Sequence, residues 1–138
     1  DIFILSNLNN IGAIEVNAFQ VHSAAVLQKS IREGFGLTVT EALWKARPTV
    51  GGRAGGIPSQ IDGETGWLVD TVDECAAACR EILADPAAAA VRGRKGKEYV
   101  RQNFLTPRLL RDWLALFNLL AGNDVGDTRL VTASGSPA

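Results

Sequence analysis

Two carboxylates, Glu33 and Glu41, stand at either end of the stretch EGFGLTVTE, with Gly34 and Gly36 bunched behind the first. The run LTVTEALWKA steps Leu37, Glu41 and Trp44 along what the spacing predicts to be a helix. A helix starting near Leu37 puts both glycines in the turn before it, where a missing side chain lets backbone come close to a ligand. The free amides of the first turn, from Leu37 to Thr40, then point at that ligand with the positive end of the helix dipole behind them. Such a turn is a pocket for phosphate. Glu33 stands on its strand side and Glu41 about one turn into the helix. Carboxylates are poor neighbours for phosphate but good bidentate acceptors for vicinal hydroxyls. The pattern therefore suits a ligand with hydroxyls on both sides of its phosphates, as in a nucleotide sugar. A plainer reading stands beside it, with Glu33 an exposed loop acid and Glu41 paired to Lys45 at i+4, worth only about 0.2–0.5 kcal/mol.

The elements that must position these acids follow from the pattern on either side. IFIL, near the start, reads as a short strand ended by the loop SNLNNIG. AIEVNAFQVHSAA carries Ile14, Val16 and Phe19 at helical spacing, and AVLQ resumes as a buried strand. After the EGFG loop and its helix, Arg47-Pro48 closes the helix and TVGG forms the next strand. RAGGIPSQIDGETG is dense in turn residues, and WLVD is a further strand. Two helices then run from Val72 to about Asp85 and from Pro86 to about Asn103. In TPRLLRDWLALFNLL, Thr106 is the expected N-cap, Pro107 the first helical residue, and Leu109, Trp113, Leu116, Phe117 and Leu120 one apolar stripe. That stripe is broad enough to need covering by another domain or a second copy, so a homodimer is one expectation. Strands alternating with helices predict an α/β fold with a Rossmann-like, mostly parallel sheet flanked by helices, in one domain over residues 1–120. Ligands of such sheets sit at the carboxyl ends of the strands, where EGFG lies. Residues 121–138 are small, polar and aperiodic, and read as a disordered tail.

Composition narrows the partner. The chain has 138 residues, 46% of them hydrophobic, and a formal net charge of -1. Its cations are spread out and balanced by acids, which argues against nucleic acid or a polybasic membrane contact and for a small molecule. No apolar run approaches the roughly 20 residues of a membrane span, and no signal peptide opens the chain, so a cytoplasmic location is expected. Cys75 and Cys79 lie in an alanine-rich helical pattern as small buried hydrophobes, with too few neighbouring ligands for a metal. The chain contains no methionine and opens on what reads as a strand already under way, so it is expected to be a piece of something longer.

Glu33 and Glu41 with EGFG between them resemble the E-x7-E motif of the retaining GT-B glycosyltransferases of family 4. EVNAFQ, LQKSIREGFGLTVTEALWKARPTVGGRAGGIPSQIDGETGWLVD and NFLTPRLLRDW extend the likeness from about residue 13 to about 117. They narrow it towards the carboxyl-terminal half of the trehalose-forming branch, the glycosyltransferring synthases and retaining phosphorylases. The resemblance implies that Glu33 is the catalytic residue, holding hydroxyls of the transferred glucose, positioning the donor and stabilising charge without acting as a covalent nucleophile. It implies further that amides of Gly34, Phe35, Gly36, Leu37 and Thr38 contact the sugar and diphosphate, and that Glu41 holds the ribose. Lys29 and Arg32 are candidates for phosphate contact or plain solvated charges. Gly55, Gly56, Ile57 and Pro58 form a second glycine-rich turn that either walls the nucleobase or simply turns the chain. His22 reads as structural, and Trp44, Trp67 and Trp113 as core or interface aromatics. A nucleoside-diphosphate glucose would be the donor and glucose the acceptor, with no metal or cofactor. In that scheme the amino-terminal GT-B half lies upstream of Asp1, and this polypeptide alone does not turn over.

Overall fold

The computed structural model describes residues 1–122. Its elements in chain order are α1 (Ala13–His22), β1 (Val26–Gln28), α2 (Leu37–Trp44), β2 (Thr49–Gly52), β3 (Trp67–Val69), α3 (Val72–Ala84), α4 (Pro86–Asn103) and α5 (Thr106–Leu120), with 3-10 turns at Asn7–Asn9 and Ile57–Ser59. The three strands pair in the order β1-β2-β3, all parallel, with Val26 opposite Thr49 and Val50 opposite Trp67. A parallel pair needs a crossover between its strands, and α2 supplies the first. The expected Rossmann-like parallel sheet flanked by helices is borne out.

Successive side chains of a strand face opposite sides of the sheet, and β3 separates two cores accordingly. Trp67 and Val69 join Val50, Ala78, Ile82 and Ala89 on one side, beneath α3. Leu68 turns to the other, against Val39 and Leu43 of α2, Ile57, Ile61 and Val100 of α4. Helix α4 lies close on α2 because it carries glycine at the contact. A β-carbon on Gly93 would stand 2.4 Å from the Ala46 carbonyl oxygen, and one on Gly96 would stand 2.6 Å from Leu43 Cδ2.

Local chemistry sets the starts of α3 and α4. Thr71 Oγ1 accepts from the Glu74 amide at 3.1 Å while the Glu74 carboxylate accepts from the Thr71 amide at 3.2 Å, a reciprocal capping box. Asp85 Oδ1 accepts from the Ala88 amide at 2.9 Å, and Pro86 follows at the first helical position, where its missing N–H costs nothing.

Two expectations, the IFIL strand and the Thr106 cap, are corrected, and burial adds detail elsewhere. IFIL forms no strand, and Ile2, Phe3 and Ile4 are exposed. A strand needs a neighbour for its backbone hydrogen bonds, and none of the described strands pairs with it. In α1 the apolar Ile14, Val16 and Phe19 face outward, and the one buried side chain is Gln20. The last helix begins one residue earlier than expected: Leu105 is the N-cap, without a side-chain cap, and Thr106 is already helical. Its stripe of Leu109, Trp113, Phe117 and Leu120 is exposed, and the helix buries Ala115. Of the three tryptophans only Trp67 is in the core; Trp44 and Trp113 are exposed. Cys75 packs at the edge of the first core, and burial beside it pushes the Cys79 thiol up. The expected tail, residues 121–138, lies outside the described residues from 123 onward. No helix among the described residues is long and apolar enough to cross a membrane.

Candidate functional site

Strand β1 ends at Gln28, and the loop that follows carries Glu33 over the carboxyl end of the sheet. The Glu33 carboxylate is held there. Its Oε2 accepts from Gln28 Nε2 at 3.1 Å and from the Ser30 hydroxyl at 3.2 Å, and its Oε1 accepts from the Gly34 amide at 3.0 Å. Gln28 Nε2 also donates to Ser30 Oγ at 2.8 Å, which ties the two donors to each other. A carboxylate offers about four acceptor positions, so this one arrives with most of its capacity used and its direction set. The Gly34 amide, expected to face ligand, is spent on this carboxylate.

Helix α2 begins where the glycine pattern put it. Gly36 is its N-cap at φ 90 and ψ 55, in the left-handed region that glycine enters without penalty. The amides of Leu37 and Thr38, first in the helix, have no carbonyl partner within it, whereas the Val39 amide already donates to the Gly36 carbonyl at 2.9 Å. Phe35 tilts against Phe104, with ring centroids 5.6 Å apart.

A second glycine turn grips this loop from behind. The Gly56 amide donates to the Gly34 carbonyl at 2.7 Å. The fully buried Gln60 donates to the Phe35 carbonyl and accepts from Thr40 Oγ1 at 2.5 Å, joining loop to helix. Gly55, at φ 54, passes so close that a β-carbon there would stand 2.0 Å from the Glu33 carbonyl oxygen. These contacts make the Gly55–Gly56 turn a clasp on the Glu33 loop.

Glu41 sits on α2 and is exposed. Its Oε2 accepts from Gln20 Nε2 at 3.0 Å, and Gln20 Oε1 accepts from Lys45 Nζ at 2.6 Å. The plainer reading of Glu41 fails in this detail, because Gln20 stands between the two charges and no Glu41–Lys45 ion pair forms among the described residues.

Lys29 and Arg32 occupy different surroundings. Lys29 Nζ donates to the Asp70 carbonyl at 2.9 Å, beyond the end of β3. Arg32 is exposed and lines an open concavity of about 620 Å³ with Ile31, Glu33, Gly34, Arg53, Ala54 and Gly55. Arg53, which sequence reasoning missed, reaches this wall with its Nε 3.1 Å from Asp70 Oδ2. His22 is exposed at the end of α1. Among the described residues no group of three or more His, Cys, Asp or Glu is placed to hold a metal. Gln20, Gln28, Ser30 and Gln60 were also missed. Their uncharged amides and hydroxyl follow no spacing in the sequence that would have singled them out.

The family model described as "Glycosyl transferases group 1" matches residues 5–85. The trehalose synthase of Rubrobacter xylanophilus is 65% identical over 122 residues, 88% of this chain and 29% of that protein. This chain therefore spans less than a third of that relative's length. The trehalose phosphorylase of Pleurotus pulmonarius is 44% identical over 64 residues, 46% of this chain and 9% of that protein. Among solved structures, the sucrose-phosphate synthase of Thermosynechococcus elongatus superposes with a TM-score of 0.66 at 30% identity, covering 75% of this chain and 27% of that one. With the family match extending over more than half of the chain, and through the whole of the Glu33 loop, its clasp and α2, this chain belongs to the group 1 glycosyl transferases.

Proposed function

We propose that residues 1–120 are the donor-binding part of a retaining GT-B glucosyltransferase of family 4. It transfers glucose from a nucleoside-diphosphate glucose to glucose, forming trehalose. The observation that carries this reading is the Glu33 carboxylate, fixed by Gln28, Ser30 and Gly34 beside the amides that open α2, which have no partner among the described residues. The similarity to a trehalose synthase over 88% of the chain supports the choice of sugar transfer. The reading carries no metal and no cofactor, places the enzyme in the cytoplasm, and gives the acceptor site and further phosphate contacts to an amino-terminal half. On that account the present polypeptide binds but does not turn over.

Each residue then has a task. Amides of Phe35, Gly36, Leu37 and Thr38 receive the diphosphate, and the α2 dipole stabilises the charge that grows on it as it leaves. Glu33 receives a glucose hydroxyl on its remaining acceptor position and stabilises the positive charge developing at the anomeric carbon. Holding two hydroxyls would require it to release Gln28 or Ser30. Arg32 and Arg53 face the phosphates from the open wall, whereas Lys29 stays with Asp70. Glu41 receives the ribose. The bond from the anomeric carbon to the diphosphate oxygen breaks, the acceptor hydroxyl oxygen bonds to the same face of that carbon, and its proton passes to the departing phosphate oxygen.

A second reading, a retaining phosphorylase using glucose 1-phosphate, draws on the partial likeness to a trehalose phosphorylase. Calorimetric titration with ADP-glucose, UDP-glucose and glucose 1-phosphate separates the two. Binding of a nucleotide sugar that is weakened by both Glu33→Ala and Glu41→Ala is the expected result. Preference for glucose 1-phosphate with indifference to Glu41→Ala would favour the phosphorylase. Indifference of every ligand to Glu33→Ala would sink both and leave a non-catalytic binding module.

A further inference from the structure

Gln20 does something that neither its neighbours nor its chain position announces. It is the one buried side chain of α1, 7% exposed, on a helix whose apolar residues face outward. Its amide lies between two opposite charges that are four residues apart on α2. A carboxylate can only accept and an ammonium can only donate, so the orientation of the amide is dictated: nitrogen to Glu41 at 3.0 Å, oxygen to Lys45 at 2.6 Å. Without Gln20, Glu41 and Lys45 have the i,i+4 spacing at which carboxylate and ammonium close directly on each other, in the favourable Glu-before-Lys order. Gln20 keeps them apart while satisfying one oxygen of Glu41, and Glu41 Oε1 accepts no hydrogen bond among the described residues.

We propose that Gln20 is a positioning residue for the nucleotide end of the donor, insulating Glu41 from Lys45 so that one carboxylate oxygen stays free for a ribose hydroxyl. This rests on the reading of Glu41 given above. Its consequence is specific. Loss of Gln20 harms nucleotide-sugar binding through a misdirected Glu41, so removing the ammonium that captures Glu41 restores part of what was lost. A residue that merely packs α1 onto α2 has no such dependence on Lys45.

The test is steady-state kinetics of the full-length enzyme with its nucleoside-diphosphate glucose, for the parent, Gln20→Leu, Gln20→Leu with Lys45→Ala, Gln20→Glu and Glu41→Ala. Gln20→Leu keeps the volume of the buried side chain and is expected to raise KM about tenfold, the scale of one hydrogen bond to a charged group, with a much smaller change in kcat. The double variant recovers most of that loss. Gln20→Glu keeps the Lys45 contact but sets a like charge against Glu41, and raises KM at least as far. A KM for Gln20→Leu within about twofold of the parent, or a double variant no better than the single, overturns the insulating role. A KM indifferent to Glu41→Ala overturns the ribose assignment itself, and the role of Gln20 with it. Circular dichroism melts of Gln20→Leu separate these outcomes from simple misfolding, and Gln20→Glu, which retains a polar side chain, gives an independent reading if the leucine variant is unstable.

Discussion

Gly55→Ala should unlock the Glu33 loop. The residue sits at φ 54, and a β-carbon built there stands 2.0 Å from the Glu33 carbonyl oxygen, 2.6 Å from the Glu33 carbonyl carbon and 2.7 Å from the Gly34 carbonyl oxygen. All three are backbone atoms, so no side-chain rotation relieves the overlap. The left-handed conformation alone costs a residue with a β-carbon about 1–2 kcal/mol. Separating the two turns also loses the hydrogen bond from the Gly56 amide to the Gly34 carbonyl, now 2.7 Å, worth about 0.5–1.5 kcal/mol. Together they predict a loss of about 1.5–3.5 kcal/mol and a fall in Tm of about 6–14 °C for a domain of this size. The assay is thermal unfolding followed by circular dichroism, with Gly63→Ala as control. Gly63 has nothing within 4 Å of a built β-carbon, and its substitution should stay within about 0.5 kcal/mol of the parent. A fall of less than about 3 °C, or one no larger than the control's, would refute the clasp, because contacts this short cannot be absorbed by a turn that is loosely held.

On the proposed function, Gln28→Leu and Ser30→Ala, each removing one donor from Glu33 Oε2, should each lower kcat of the whole enzyme about tenfold. Because both act on the same oxygen, the double variant should fall well short of the product of the two; full additivity would mean that they do not act through Glu33. Acid should remove the small, solvent-screened contribution that the exposed Glu98 makes to stability. Hydrogen bonds from Arg101 and Gln102 hold its carboxyl down from 4.5 to about 2. A pKa depressed in the folded state adds stability above the unfolded value that disappears as the folded value is passed. The stability difference between the parent and Glu98→Gln, read by urea unfolding, should therefore be full above pH 4.5 and gone by about pH 2. A difference unchanged across that window would place the carboxyl in ordinary solvent.

What could be read from the residues alone was whatever is written within a few positions along the chain. The Pro86 start and the glycine before Leu37 specify helix ends locally, and each stands where its local chemistry puts it. The alternation of short apolar runs with helical spacing was enough for a parallel α/β fold, since parallel strands require crossovers. IFIL misled because hydrophobic character marks a surface that wants a partner without saying whether a partner is beside it, and the exposed apolar face of α1 shows the same. The site itself was legible as a position and illegible as a mechanism. Glu33, Glu41 and the glycines are in the motif, but Gln20 meets Glu41 across 21 residues and Gln60 meets the Phe35 carbonyl across 25. Those distances close only after β1, β2 and the turn beyond them have paired and packed. An amide side chain carries no charge and no periodicity that would mark it beforehand, so its role is decided by tertiary structure, which alone chooses the two groups it must satisfy.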